Sequence, residues 1–222
     1  MEQQKAARLA GFLYLLTNAT AIFAFSIRGR LIVNRDVAQT ATNIAASSQL
    51  FRLGIVAELI TIAGVIMLIA ALYVVLKPAH PNIALLAVFW RLAENFTLAI
   101  IVLAEFAVLR IVHLPVHVQT VHTLLGVYGD GFRIGFFFLG IGSAVFAYLW
   151  LKSRYIPGVL AIIGLVGGLT MAAVEMTIMV FPPFASIVQM SYMAPMGVFE
   201  IGGGLWLLIK GIQTPKLQEQ FA

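Results

Sequence analysis

The run Ala57-Glu-Leu-Ile-Thr-Ile-Ala-Gly-Val-Ile-Met-Leu-Ile-Ala-Ala-Leu-Tyr-Val-Val-Leu76 carries a single charge, Glu58, in a stretch otherwise suited to hydrocarbon. About 20 such residues in a helix cover the ~30 Å of a bilayer core. Working outward, comparable apolar segments recur at 7–27, 50–76, 82–109, 131–152, 156–181 and 189–210. The whole chain of 222 residues is 61% hydrophobic and 10% charged, with a mean hydropathy of +0.99, so lipid solvates it better than water does. These features predict an all-α polytopic membrane protein: one domain, 1–222, folded as a compact bundle of six transmembrane helices.

Charge sets the expected orientation. Threading six spans from a cytoplasmic N-terminus puts Lys5, Arg8, Lys77, Lys152, Arg154, Lys210 and Lys216 inside, and leaves Arg28, Arg30, Arg35 and Arg110 outside. The expectation is an inner-membrane protein with both termini cytoplasmic. The formal net charge of +5 comes from residues at the ends of apolar runs and not from a water-facing basic patch, so no nucleic-acid partner is expected. Lys5 and Arg8 ahead of Ala19-Thr-Ala21 fit a loose secretory-signal pattern, but a retained first helix is the simpler reading. Asn18-Ala-Thr20 and Asn95-Phe-Thr97 match glycosylation sequons inside expected spans and are discounted. With no cysteine, the chain offers no disulfide, thiolate metal site or thiol nucleophile.

Two long connections are expected outside. In 28–49, Asp36 to Ser47 fits a short surface helix turning Ala38, Ala41, Ile44 and Ala45 toward the protein. The stretch 110–130 reads as a loop; it holds His113, His117 and His122, but Pro115 breaks the helical face a metal pair needs, and no metal site is expected. Either loop is long enough to cap an opening, though ordinary connections are as long.

Phe51-Arg-Leu-Gly54, Phe132-Arg-Ile-Gly135 and Phe199-Glu-Ile-Gly202 raise the alternative that the six helices are three related hairpins. Close helix approach is expected at the pairs Gly131/Gly135 and Gly164/Gly168 and at Gly202-Gly-Gly204, within the chain by default, although the same faces could serve an oligomer.

The strongest functional signal is acidic. Glu58, Glu94, Glu105, Glu175 and Glu200 all fall inside apolar segments, where a charge costs several kcal/mol unless paired or hydrated. At 100° per residue Glu94 and Glu105 lie within about 20° of one another and Arg91 within about 60°, so all three share a stripe of the third helix. Arg91 and Glu94 are spaced to pair. By depth, Glu94 and Glu200 come near the midplane and Glu58, Glu105 and Glu175 in the outer third, with Asp130 and Arg133 at the same outer end. The candidate ligand- or ion-binding set is therefore Glu58, Arg91, Glu94, Glu105, Asp130, Arg133, Glu175 and Glu200, converging on a cavity open to the extracytoplasmic side. Phe136-Phe-Phe138 is expected to pack or face lipid, and Trp90, Trp150 and Trp206 to be anchors or core. No nucleophile elbow, phosphate loop or dinucleotide fingerprint occurs, and no cofactor or catalytic residue is assigned.

The segments Asp130-Gly-Phe-Arg-Ile-Gly-Phe-Phe-Phe-Leu-Gly140, Ala147-Tyr-Leu-Trp-Leu-Lys-Ser153 and Ile156-Pro-Gly-Val-Leu160, with Ala7-Arg-Leu-Ala-Gly-Phe-Leu-Tyr14 and Phe51-Arg-Leu-Gly-Ile-Val56, resemble a bacterial multi-pass membrane family catalogued as domain of unknown function 4386. Gly158 departs from the bulkier or basic residue that family often carries there. The resemblance implies six helices in a bacterial inner membrane and supplies no activity. Three functions stay open: a binder of a small ligand or ion that includes a proton-coupled carrier, an intramembrane acid–base enzyme acting on an isoprenoid or other lipid, and an assembly subunit without chemistry. Membrane lipids and a small-molecule or lipid ligand are the expected partners.

Overall fold

A computed structural model describes residues 2–33, 36–114 and 118–213; Arg35, Pro115, His117 and Lys216 lie outside them. The elements are α1 (Glu2–Leu31), α2 (Val37–Ala46), α3 (Ser48–Leu76), α4 (Pro81–Ile111), α5 (Val118–Ser153), α6 (Gly158–Val180), the short α7 (Phe184–Val188), a 3-10 turn (Ser191–Met193) and α8 (Ala194–Ile209). Six of these helices, α8 counted with its 3-10 turn, are long and apolar enough to cross a membrane. Their outer surfaces are apolar: Leu59, Met67, Phe89, Ile100, Leu103, Val159 and Val166 are all exposed. In a water-soluble protein such a surface would aggregate; in a bilayer it is the solvated face.

The helices form a closed ring in the order α1, α3, α4, α5, α6, α8, with α8 returning to α1. The ends of the described chain, near Gln4 and Ile212, lie at one face, here the N-terminal face, together with the α3–α4 and α5–α6 turns; the other face is called distal. Proline marks the turns as expected. Pro81 is the first residue of α4 behind the N-cap His80, and Pro157 is the N-cap of α6. At the N-terminal face Gln4 accepts from Ile212 N at 3.0 Å and donates to Lys210 O at 3.3 Å, fastening α1 to the end of α8. Gly211 makes this possible: its φ of +72° ends α8, and a Cβ there would lie 2.0 Å from Gln4 Nε2.

Small residues set the helix spacing. A Cβ on Gly11 would lie 2.4 Å from Leu208 N, one on Gly140 2.6 Å from Gly168 O, and one on Gly131 2.2 Å from Ile101 Cγ2. The expected glycines are thus used within the chain: Gly131 and Gly135 against α4, Gly164 against α8, Gly168 against α5, Gly202 against α6 and Gly204 against α1. The three repeat glycines share a role: Gly54 meets Ile27, Gly135 meets Leu98 and Gly202 meets Leu160, each on the preceding long helix. They do so at different depths, so a strict threefold symmetry is not preserved.

Three boundaries differ from the sequence expectation. The stretch read as a loop at 110–130 is largely helix, because Val121, Leu124, Leu125 and Tyr128 follow helical spacing and pack inward. The helix α1 runs on to Leu31, carrying Arg28 into the bundle where carboxylates receive it. The segment 189–210 is not one helix, since the chain turns at Gln189, with φ +48°, before α8 begins at Ala194. The surface helix α2 forms as expected, with Asp36 capping it by accepting from Gln39 N at 2.8 Å. Thr40 and Ile44 are its buried residues, and Ala38 faces outward.

Candidate functional site

The ring encloses a cavity of about 350 Å³ between two packed regions. On its N-terminal side, Leu72, Phe146, Trp150, Phe199 and Leu207 fill the bundle. On its distal side, Ile27, Phe51, Ile55, Val102 and Val108 do the same. Its walls are mainly apolar and come from every long helix, with Phe132 and Phe136 of α5 and Met171, Met190, Met193 and Met196 prominent. Tyr128, Phe132 and Phe136, four residues apart on one face of α5, form a ladder with centroid spacings of 5.9 and 4.2 Å, and Phe25 of α1 meets Phe132 edge-on at 5.2 Å.

The polar groups fall into three clusters. The first lies at the distal end, where Arg28 reaches inward from α1. Its Nε and Nη2 donate to Glu105 Oε1 and Oε2 at 2.7 Å each, and Nη2 also donates to Glu58. Tyr128 donates its hydroxyl to Glu58 at 3.0 Å and places its ring 4.8 Å beneath the guanidinium. All four residues are buried. One cation between two carboxylates leaves a formal charge of −1.

The second cluster sits at the middle of the bundle. Arg91 Nη1 lies 2.9 Å from Glu94 Oε2 and donates to Ser143 Oγ at 3.3 Å. Asn95 donates to Ile62 O at 3.0 Å, bridging α4 to α3. The Arg91–Glu94 contact is an ion pair without hydrogen-bond alignment: Glu94 Oε2, Asn95 Oδ1 and Arg91 Nε are buried with no hydrogen-bond partner among the described residues. Across the cavity, Glu200 accepts from Asn18 Nδ2 at 3.0 Å. Glu200 has no salt bridge among the described residues; the two glutamates and Arg91 again sum to −1.

The third cluster stands apart from the cavity. Arg133 Nη1 lies 3.4 Å from Glu175 Oε2, and Tyr192 donates to Glu175 Oε1 at 2.5 Å. This ties the 3-10 turn to α6 and so fixes Met190 and Met193, on the same connection, at the cavity mouth. Tyr192→Phe is expected to speed proteolytic cleavage within 184–193 about tenfold by removing a hydrogen bond to a charged group, with the rest of the bundle unchanged. Limited proteolysis with mapped cut sites checks this.

The mouth itself is lateral. Gly204 of α8 lies close against α1, where a Cβ would be 3.0 Å from Tyr14 Cβ. Gly197, two turns earlier on the same face, has nothing within 4 Å. The two helices therefore splay apart in the distal half, and Ile22, Phe25, Met190 and Ile201 line the cavity while also being exposed at the surface.

Of the residues singled out from sequence, Glu58, Arg91, Glu94 and Glu200 line the cavity; Glu105 lies just behind them on Arg28. Glu175 and Arg133 belong to the latch outside it, and Asp130 is exposed on α5 one turn beyond Arg133. The common cavity expected for all eight is thus a narrower one. The sequence reading missed Arg28, Tyr128, Asn18 and Asn95. For Arg28 a signal existed: Ala24, Ile27 and Leu31 mark the buried side of α1 at helical spacing, and Arg28 lies on it. His113 and His122 are exposed, and no group of three potential metal ligands occurs among the described residues.

A family model described as a domain of unknown function (DUF4386) matches residues 9–211. The chain belongs to the DUF4386 family. The match spans all six long helices, so the ring and its cavity lie within the DUF4386 unit and not in an appendage to it. No curated protein and no solved structure shows a significant match to the chain.

Proposed function

We propose that this DUF4386 protein binds a largely apolar small molecule inside the membrane, admitting it from the bilayer between α1 and α8. One observation carries the reading: a cavity of about 350 Å³, walled mainly by apolar side chains of all six long helices, that meets the surface among Ile22, Phe25 and Ile201 of two membrane-length helices. That volume suits a compact organic ligand and exceeds what a bare ion needs. Methionine supports the reading, since its flexible thioether adapts a wall to different shapes. A carrier reading has less support. The N-terminal half below Glu200 is packed with apolar side chains. The distribution of lysines, with Lys5, Lys77, Lys152 and Lys210 all toward the N-terminal face, supports an inner-membrane protein with cytoplasmic termini.

The test uses N-phenyl-1-naphthylamine, an apolar fluorophore, with the purified protein in lipid nanodiscs. Saturable binding above empty nanodiscs is expected. Gly197→Trp, which places an indole in the open mouth, is expected to weaken it at least about tenfold without lowering the unfolding temperature, because the site is unfilled space and not packed core. Absence of saturable binding, or equal binding by the variant, overturns the reading.

A second reading rests on Glu94 and Glu200 meeting the apolar cavity: an acid–base enzyme acting on a lipid-soluble substrate. Its mark is turnover of an added isoprenoid that Glu94→Gln or Glu200→Gln abolishes while fluorophore binding persists. Binding without turnover leaves the first reading in place.

A further inference from the structure

The chemistry of the cavity narrows its ligand. Counting every ionisable side chain that lines it, with Glu105 behind Arg28, gives Arg28 and Arg91 against Glu58, Glu94, Glu105 and Glu200, a formal excess of two negative charges. Arg28 is engaged with Glu58 and Glu105, and Arg91 with Glu94. Glu200 is held by a neutral amide, Asn18, and by no cation among the described residues. Hydrogen-bonding capacity leans the same way. Of the buried lining atoms that make no hydrogen bond, Asn95 Oδ1 is an acceptor, Glu94 Oε2 is an acceptor held by its ion pair with Arg91, and Arg91 Nε is a donor. A ligand entering this space meets an excess of acceptors.

The apolar wall adds an independent indication. The Phe132 and Phe136 rings of the α5 ladder line the cavity, and Arg28 already rests on the Tyr128 ring of that ladder. Aromatic faces attract cations, most strongly where water is excluded. Carboxylates joined to aromatic faces in a pocket of ligand size are the groups that recognise an ammonium.

We propose that the ligand is a lipophilic amine, its ammonium head placed between Glu200 and the Glu94–Asn95 pair and its apolar body lying along Phe132, Phe136 and the methionines. This rests on the intramembrane-binding reading above and names its substrate class. The lateral mouth suits such a molecule, which partitions into the bilayer before it binds.

Radiolabelled dodecylamine, competed by unlabelled dodecyltrimethylammonium, dodecan-1-ol and dodecanoate, tests the proposal on the full chain in nanodiscs of zwitterionic lipid, with empty nanodiscs subtracted. The two cationic probes are expected to bind at least about tenfold more tightly than the alcohol or the carboxylate. Glu200→Gln should remove most of that preference, read as the ratio of cation to alcohol affinity in the variant. Should that variant fail to fold, Glu94→Gln is expected to lower the same preference, read as the ratio of cation to alcohol affinity in the one variant. Saturable binding in which the alcohol or dodecanoate equals the amines overturns the amine proposal and leaves the binding reading standing. Failure of all four probes to bind overturns both. A preference for amines that survives in both variants overturns the assignment of the head to this site.

Discussion

Arg28→Gln is expected to be the most damaging single substitution of a charged residue in this protein, lowering its unfolding free energy by about 3–5 kcal/mol. The arginine is buried and makes two aligned hydrogen bonds to Glu105 and another to Glu58. Glutamine keeps much of the bulk but cannot neutralise either carboxylate, and the loss of one partner leaves buried charge uncompensated. The effect is predicted to be non-additive. Arg28→Met combined with Glu58→Gln and Glu105→Gln should recover most of the stability, because removing all the charges together leaves no ion stranded. Reversible unfolding in mixed micelles, comparing the single variant with the triple, checks this; equal instability of the two would show that packing, not charge, dominates there.

The second large effect is steric. Gly140 faces Gly168 across the α5–α6 contact, and a Cβ on either would fall 2.6 Å from the other's carbonyl oxygen. Both obstructing atoms are backbone, so no rotamer change relieves the contact. Gly140→Val must push two helices apart, at a cost of about 1–3 kcal/mol or more. Gly126→Val in the distal extension of α5 is the control: it has nothing within 4 Å of its Cβ position, and should leave the unfolding temperature nearly unchanged. The same ring passes through both α5 and α6, so the steric variant should also weaken ligand binding, which the control should not.

The spans were legible in the sequence because a bilayer demands long apolar runs, and composition alone reveals those. The stripe Arg91–Glu94–Glu105 was legible too, since helix periodicity fixes relative direction within a single helix, and all three are buried on α4. What lies between helices was not. Arg28 looked like a topology marker because a basic residue at the end of an apolar run ordinarily is one; only the position of Glu58 and Glu105 on neighbouring helices turns it into a buried cation. Asp130 misled for the complementary reason. It stands near Arg133 in sequence, but the helix directs it outward. The third distal connection, 181–193, gave no sequence sign of its place at the mouth, because its contacts through Tyr192, Met190 and Met193 depend on how α6 and α8 meet.

The closing helix is short. α8 has 16 residues, about 24 Å of helix, against 30 residues and about 45 Å for α1. Where it stops, the wall of the cavity is completed by whatever lies alongside, and in a membrane that is an acyl chain. On the binding reading proposed above, the surrounding lipid is both a structural component and a competitor, since a ligand entering past Phe25 and Met190 has to displace a tail. Affinity measured for this protein becomes a property of protein and bilayer jointly, varying with chain length and unsaturation even when the polar groups inside the ring stay the same.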